Sequence, residues 1–401
     1  MCSQFTKVRG RNMVEYLTQV RSENINAVFF GRMRSERFDG FKSRIDPIIE
    51  TLQISIVSLP NMQIYVMSRL ISLASKLSFV LCLTLLFALA GCTKKSAAQT
   101  TVDLQAKVNV PFRFVAYGDT RFHDPKDTEA ANPAVRVALV KAIAAADPSF
   151  ICFTGDIVYN GYDTNDWKVW DSETAIWRKK NIPVYPALGN HDLHGNEKTA
   201  LRNYFQRFPE LRDSRYYAVR AANTLLLVLD SSQDETSGPQ GQWLNAKLDK
   251  IPPDVDFVFI MLHHPPYTSS SDAKTFGGGH SSRSSEKKLA AMLEARQANT
   301  RARFVVFSGH VHNYERHEHG GVTYFVTGGG GAHAYPIERT PDDPFQSKQI
   351  NYHYLLVEVD RGSLKITMHR LDLTSGTAVW TEPDSVTISS PATVKGAAQG
   401  N

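Results

Sequence analysis

The chain has 401 residues, with 45 Lys and Arg against 40 Asp and Glu, a formal net charge of +5. Residues 1–91 hold eleven of the basic and six of the acidic residues, so the remainder carries 34 of each sign and no net charge. The basic excess belongs to the leader, and the composition of the remainder gives no reason to expect nucleic-acid binding.

Residues 1–66 are polar, with scattered charges and no clean period. Residues 67–91 follow a different plan. Arg69 and Lys76 precede an apolar run over 77–90, short for a membrane span, and Leu89-Ala90-Gly91 stands just before Cys92. This stretch resembles a bacterial lipoprotein signal. The resemblance implies cleavage before Cys92, a diacylglyceryl thioether on that cysteine, and a membrane anchor facing outside the cytoplasm, in the periplasm or at the cell surface. Met67 is then the expected start and 1–66 a doubtful leader. An ordinary signal peptide that happens to contain a cysteine, and a true cytoplasmic extension, are the alternatives.

Residues 92–109 read as a polar tether and 391–401 as a loose tail. Between them, 110–390 is long enough for one large core. Short apolar runs predict strands over 113–117, 150–153, 184–187, 224–229, 257–262 and 303–307. Helical patterns over 133–146, 166–179, 198–208, 240–249 and 285–298 alternate with them. Asn132-Pro133 is a helix start, an N-cap followed by proline at the first helical position. From Val322 the chain turns to strands: VTYFVTG, HYLLVEV, LKITMHR and one near Val386. The alternation followed by a strand-rich end argues α/β with two mixed sheets. Cys152 stands alone in an apolar run, so no disulfide pair is expected in the domain.

Five of these strands end in residues able to bind metal. FVAYGDT gives Asp119, FICFTGDIVY gives Asp156 and Tyr159, and VYPALGNHD gives Asn190 and His191. FIMLHHPPY gives His263 and His264, and FVVFSGHVH gives His310 and His312. Glycine stands directly before four of the clusters, where a chain must leave a strand sharply. Ligand sites of open α/β sheets lie beyond the carboxyl ends of the strands, so the clusters are expected on one rim. In HVH an extended backbone turns both imidazoles to one side. Carboxylate, amide, phenol and imidazole donors suit iron, zinc or manganese rather than a thiolate zinc site.

GD at 118–119, GDIVY at 155–159, GNHD at 189–192, His263 and GHVHNYER at 309–316, in this order, resemble the calcineurin-like metallophosphoesterase superfamily, and within it the purple acid phosphatases. The resemblance covers about 112–370. It implies a four-layer α/β/β/α sandwich of two mixed sheets, with 110–390 as the catalytic domain. It also implies two divalent or trivalent metal ions, iron with zinc, manganese or a second iron. Carried over by position, Asp156 bridges the metals, Asp119, Tyr159 and His312 complete one, and Asn190, His263 and His310 hold the other. His191 faces the phosphate of an ester substrate. A metal-bound hydroxide attacks phosphorus in line while His191 assists the leaving group. The first motif departs from the common Asp-x-His, reading Asp119-Thr120-Arg121, and the GDxxY tyrosine of the purple type is present instead.

Other positions keep two readings. Tyr159 is a metal-binding phenolate or a packed strand-end aromatic. Arg121 reaches substrate phosphate or solvent. His264 orients its neighbours or is merely packed, and His280 and His194 face substrate or solvent. Trp167, Trp170 and Trp177 are expected as a helix's core stripe, and Gly328–Gly331 as a close-packed turn beside the site. A phosphomonoesterase of acid-phosphatase type is the leading expectation. A phosphodiesterase or nucleotidase on the same centre is the alternative, and a non-catalytic surface binding lipoprotein a remote one. Oligomeric state is not readable.

Overall fold

Of the apolar runs that end in the five clusters, four become interior strands of two sheets and the one before Asn190 becomes an edge strand. The computed structural model describes residues 101–270 and 280–391. In chain order the elements are β1 (Asp103–Ala106), β2 (Phe112–Tyr117), α1 (Pro133–Ala146), β3 (Ile151–Phe153), α2 (Thr164–Glu173), α3 (Ala175–Lys179) and β4 (Val184–Pro186). There follow α4 (Glu197–Arg207), β5 (Tyr217–Ala221), β6 (Thr224–Val228), α5 (Gly238–Leu248), β7 (Phe257–Met261), α6 (Ser284–Gln297) and β8 (Arg303–Ser308). The chain closes with β9 (Tyr314–His319), β10 (Val322–Thr327), β11 (Tyr352–Val359), β12 (Ser363–Asp372), β13 (Val379–Thr381) and β14 (Ser385–Ser389).

One sheet has the order β1-β5-β6-β7-β8-β10-β9, the other β13-β12-β11-β2-β3-β4, with β14 also on β12. Both are mixed. β6, β7, β8 and β10 are parallel, as are β2, β3 and β4, while β5–β6, β9–β10 and the β2–β11–β12 pairs are antiparallel. The central parallel strands are buried on both faces, which is why they read as unbroken apolar runs.

The sheets face one another through aromatic side chains. Phe114 of β2 meets Phe259 of β7 at 5.1 Å and Phe307 of β8 at 6.2 Å, both edge-on. A second cluster lies on the far face of the β6–β8 sheet, where Leu244, Leu248, Leu289 and Leu293 of α5 and α6 cover Leu227, Ile260 and Val306. Val135, Leu139 and Ile143 of α1, with Trp170 and Trp177, cover the outer face of the β2–β4 sheet. The expected four-layer α/β/β/α sandwich is therefore the fold.

Helix α1 begins as its sequence requires. Asn132 Oδ1 accepts the N–H groups of Ala134 and Val135 at 3.1 and 3.3 Å, and Pro133 needs no donor there. Within α1, Arg136 is fully buried. It pairs with Glu173 at 2.9 Å and donates to the carbonyls of Arg121 and His123 at 3.1 and 3.0 Å. A core arginine thus ties two helices to the loop that follows β2.

Three expectations need correction. The helix over 166–179 is two helices, because Thr174 leaves the helical path and its hydroxyl returns to the Trp170 carbonyl at 2.6 Å. Residues 92–109 are not all tether: β1 pairs in parallel with β5, and Val102 and Ala106 are buried. The signal was missed because an edge strand this short buries few apolar side chains. Strand β9 was missed for a similar reason, since YERHEH is polar and pairs only with β10. Trp167, Trp170 and Trp177 are buried, as the stripe predicts. All described residues belong to one compact unit, and among them no helix is long and apolar enough to cross a membrane. The expected lipoprotein signal with Cys92, and the expected tail after Pro391, lie outside the described residues.

Candidate metal centre

The donors sit where strands of both sheets end. Asp119, Asp156 and Asn190 follow β2, β3 and β4, and His263 and His310 follow β7 and β8. Three of these residues have left-handed backbones, Asp119 at φ 58°, Asp156 at 53° and His310 at 70°. Such conformations cost of order 1 kcal/mol or more each in non-glycine residues and cluster at functional sites. Here hydrogen bonds hold them. Asp119 N–H donates to Gly155 O at 2.9 Å, and the His310 N–H donates to both Asp119 carboxylate oxygens at 3.0 Å. Gly309 and Gly189 are required by close approach, because a Cβ at either would collide with the carboxylate of Asp119 or of Asp156.

Two donor groups result. Asp119, Asp156 and His312 offer ligand atoms within 4.8 Å of one another, and so do His263, His264 and His310. Asn190 Oδ1 joins the second group, 3.0 Å from His263 Nε2 and 3.1 Å from His310 Nδ1. Asp156 Oδ1 lies 3.4 Å from His263 Nε2, which places that carboxylate between the groups.

Backbone carbonyls fix the tautomers. A carbonyl can only accept, so His263 Nδ1, 2.9 Å from Thr154 O, carries the proton. His312 Nδ1 does the same toward His333 O at 2.8 Å. Burial lowers the pKa of both rings, so they are neutral near pH 7. His263 Nε2 therefore presents a lone pair to the Asn190 carbonyl oxygen, two acceptors with no proton between them. His312 Nε2 is buried without a hydrogen-bond partner, 3.7 Å from the Asp119 carboxylate. Both arrangements are costly unless a cation lies between the atoms. The donor set fits two metal ions.

The carboxylates are not equivalent. Burial, and then the charge of Asp156, push Asp119 well above the usual carboxylate range, against Arg121 and the His310 N–H. Burial opposes ionisation of Asp156 too, but neighbouring His263, His191 and Arg121 hold it low.

His191 is half-buried beside these groups. Its N–H donates to Asp156 Oδ1 at 2.9 Å, and its Nδ1 donates to Tyr159 O at 2.7 Å, leaving Nε2 as the other ring nitrogen. The Tyr159 ring stacks on His191 at 5.2 Å and borders His123 at 5.1 Å. Arg121 reaches Asp156 rather than open solvent, at 3.5 Å. His264 lies 4.4 Å from the His310 ring and shares its Nδ1 with Ser231 Oγ at 2.8 Å. His280 lies 4.9 Å from the His310 ring. His194 is exposed at the margin, its ring 5.5 Å from His191.

Sequence reasoning missed Asp192. Its buried carboxylate accepts the N–H groups of Ile157, Gly189 and Val158 at 2.9, 2.9 and 3.3 Å, binding the Asp156 loop to the Asn190 turn. Burial and Asp156 push its pKa up to about 8 while those donors pull it down. The final D of GNHD was its only signal. Thr154 and His333 act through carbonyls, which no side-chain motif reports. The glycine turn at 328–331 does pack beside the site, Gly330 N–H donating to Gly118 O at 2.9 Å.

Residues 112–314 match the family model for calcineurin-like phosphoesterase. The chain belongs to the calcineurin-like phosphoesterase family. The chain is 27% identical over 203 residues to a phosphoenolpyruvate phosphatase of Allium cepa, covering 47% of this chain and 40% of that protein. It is 25% identical over 186 residues to purple acid phosphatase 1 of Ipomoea batatas, covering 42% and 37%. The chain thus spans about two fifths of the length of these curated relatives. Among solved structures it is similar to the purple acid phosphatase PPD1 of Lupinus luteus seeds, with a TM-score of 0.54, 17% identity and coverage of 70% and 54%. It is also similar to PhoD, with a TM-score of 0.52, 14% identity and coverage of 71% and 70%. At those identities the structural likeness speaks for the fold alone. The family match and the phosphatase relatives support a metal-dependent phosphoester hydrolase.

Proposed function

We propose that the chain is a dinuclear-metal phosphohydrolase acting as a phosphomonoesterase of acid-phosphatase type. The observation that carries this reading is the pair of donor groups whose imidazole lone pairs are turned inward by backbone carbonyls. Asp156 would be shared between the ions. Asp119, Tyr159 and His312 would hold one, and Asn190, His263 and His310 the other. When bound, the two ions supply positive charge for phosphate oxygens and acidify water to a nucleophile. His191 stands at the edge of this set with Nε2 directed by the Nδ1 bond to Tyr159 O. Protonated there, it gives its proton to the departing alkoxide. Burial lowers its pKa while Asp156 raises it, so the protonated form is favoured at acid pH.

The proposal gives one ion as ferric iron on the Tyr159 phenolate, with zinc, manganese or iron beside it. Purified protein is expected to hold two metals per chain and to show a broad visible band that Tyr159→Phe abolishes. Two metals without that band would leave Tyr159 as packing for His191. A chain that binds no metal would end the reading. We also propose that the chain is lipid-anchored outside the cytoplasm through Cys92. Radiolabelled fatty acid is expected to enter the protein and to be lost in Cys92→Ala; label retained in that variant would refute the anchor.

A further inference from the structure

The loop after β2 carries an arginine beside the centre. The backbone of Arg121 is held from both sides. Its N–H donates to Asp156 O at 3.0 Å, and its carbonyl accepts from buried Arg136 at 3.1 Å. Its φ of 46° lies in the left-handed region, a conformation kept only where its surroundings impose it. The side chain is 15% exposed, with Nη2 3.5 Å from Asp156 Oδ2. That distance is the outer limit of a hydrogen bond. Nε is buried and has no hydrogen-bond partner. A guanidinium has five N–H donors and keeps its charge at any working pH. This one is held at the centre with most of its donors unused, next to a carboxylate that the proposed function assigns to the metal ions. Leaving a charged donor buried and unmet costs stability, and an acceptor arriving with the substrate would meet it.

The number of terminal oxygens decides which substrate can supply that acceptor. A phosphate monoester dianion has three terminal oxygens sharing two negative charges. A diester monoanion has two, with one charge. If two oxygens face the two ions, only the monoester keeps a third for a further donor. The charge points the same way, because the buried carboxylates Asp119 and Asp156 do not neutralise two metal ions and a guanidinium together.

We infer that Arg121 is a specificity-determining residue: its guanidinium receives the third terminal oxygen of a phosphate monoester, and so favours monoesters over diesters. This rests on the dinuclear reading above.

The test uses full-chain, metal-loaded protein and its Arg121→Leu and Arg121→Lys variants. Calorimetry measures the affinity for inorganic phosphate and for dimethyl phosphate, with metal content measured alongside. kcat/KM is measured for p-nitrophenyl phosphate and bis(p-nitrophenyl) phosphate. In Arg121→Leu the metal content is expected to hold while inorganic phosphate binds about 10²-fold more weakly, the scale of one lost preorganised donor. Dimethyl phosphate affinity is expected to change by less than about threefold, and the monoester-to-diester ratio of kcat/KM to fall with the phosphate affinity. Arg121→Lys, which keeps the charge without the fork, is expected to recover part of both losses. Equal losses for the two anions, unchanged phosphate affinity, or loss of metal from both variants would overturn the inference. If the wild type hydrolyses p-nitrophenyl phosphate and Arg121→Leu keeps its ratio, only the role of Arg121 fails. If the wild type holds no metal or cleaves neither ester, the dinuclear reading fails first.

Discussion

Asp156→Asn is expected to lower phosphate-ester turnover by about 10⁴-fold or more, on the scale of removing a group that a catalytic unit cannot do without. Asparagine is the informative replacement. It tolerates the left-handed backbone at φ 53°, and its carbonyl oxygen can still accept the His191 N–H that Asp156 Oδ1 accepts at 2.9 Å. What is lost is the charge shared between the two donor groups, so metal content is expected to fall for both ions. Stability is expected to fall in the metal-free protein as well. Burial opposes ionisation of Asp156, but neighbouring His263, His191 and Arg121 hold its carboxyl below the usual range, so its charge favours the folded state at neutral pH. The amide also leaves the Arg121 guanidinium, 3.5 Å from Asp156 Oδ2, without its charged partner. Thermal melts are expected to place Asp156→Asn below the wild type with chelator, and further below it with metal. A variant with wild-type metal content and turnover would remove Asp156 from the centre.

The second large effect concerns acid. His353 is fully buried, its Nδ1 donating to Asn351 O at 2.9 Å and its Nε2 3.0 Å from Thr327 Oγ1. Burial pushes its pKa down to about 4 from the ordinary 6.5. The unfolded chain therefore binds more protons than the native one between these values, and stability rises with pH across that window. Acidification from pH 6.5 to about 4 is expected to cost the metal-free protein about 3 kcal/mol from this ring alone. The lowered pKa values of His263 and His312 add in the same direction. Metal ions bind only neutral imidazole, so they are expected to carry stability to lower pH. Circular-dichroism melts from pH 7 to 4 check this. The chelated protein should lose its melting temperature steeply, the loaded protein less so, and His353→Gln should flatten part of the chelated slope. A flat chelated profile in the wild type would refute it. On the proposed function, the metal ions would serve stability as well as catalysis.

Much of this was legible before the structure because the same residues shape the backbone and carry the chemistry. The runs before Asp119, Asp156, Asn190, His263 and His310 are apolar because their strands are covered on both faces, and the clusters follow because functional groups gather beyond strand ends. The pattern could not report what acts through carbonyls or through position. Thr154 O and His333 O fix the tautomers of His263 and His312, yet any residue type offers a carbonyl. Asp192 looked like the tail of a motif, although its carboxylate fastens two loops together. Nothing in the helical pattern over 133–146 singled out Arg136, and only the fold reveals it as the buried anchor of the Arg121 loop. The single helix expected over 166–179 failed because a threonine hydroxyl that turns back on its own helix leaves the hydrophobic period intact.

Each donor group draws on both sheets. Asp119 and Asp156 come from the β2–β4 sheet and meet His312 from beyond β8, while Asn190 follows β4 and meets His263 and His310 from β7 and β8. The carboxylates are made early in the chain and the imidazoles late. A ribosome that stalls before residue 310, or a protease that separates the halves, yields a product with the acidic side of the centre and without the bases that close it. Metal loading would therefore come late, available only to a chain made past His312 whose two sheets have come face to face.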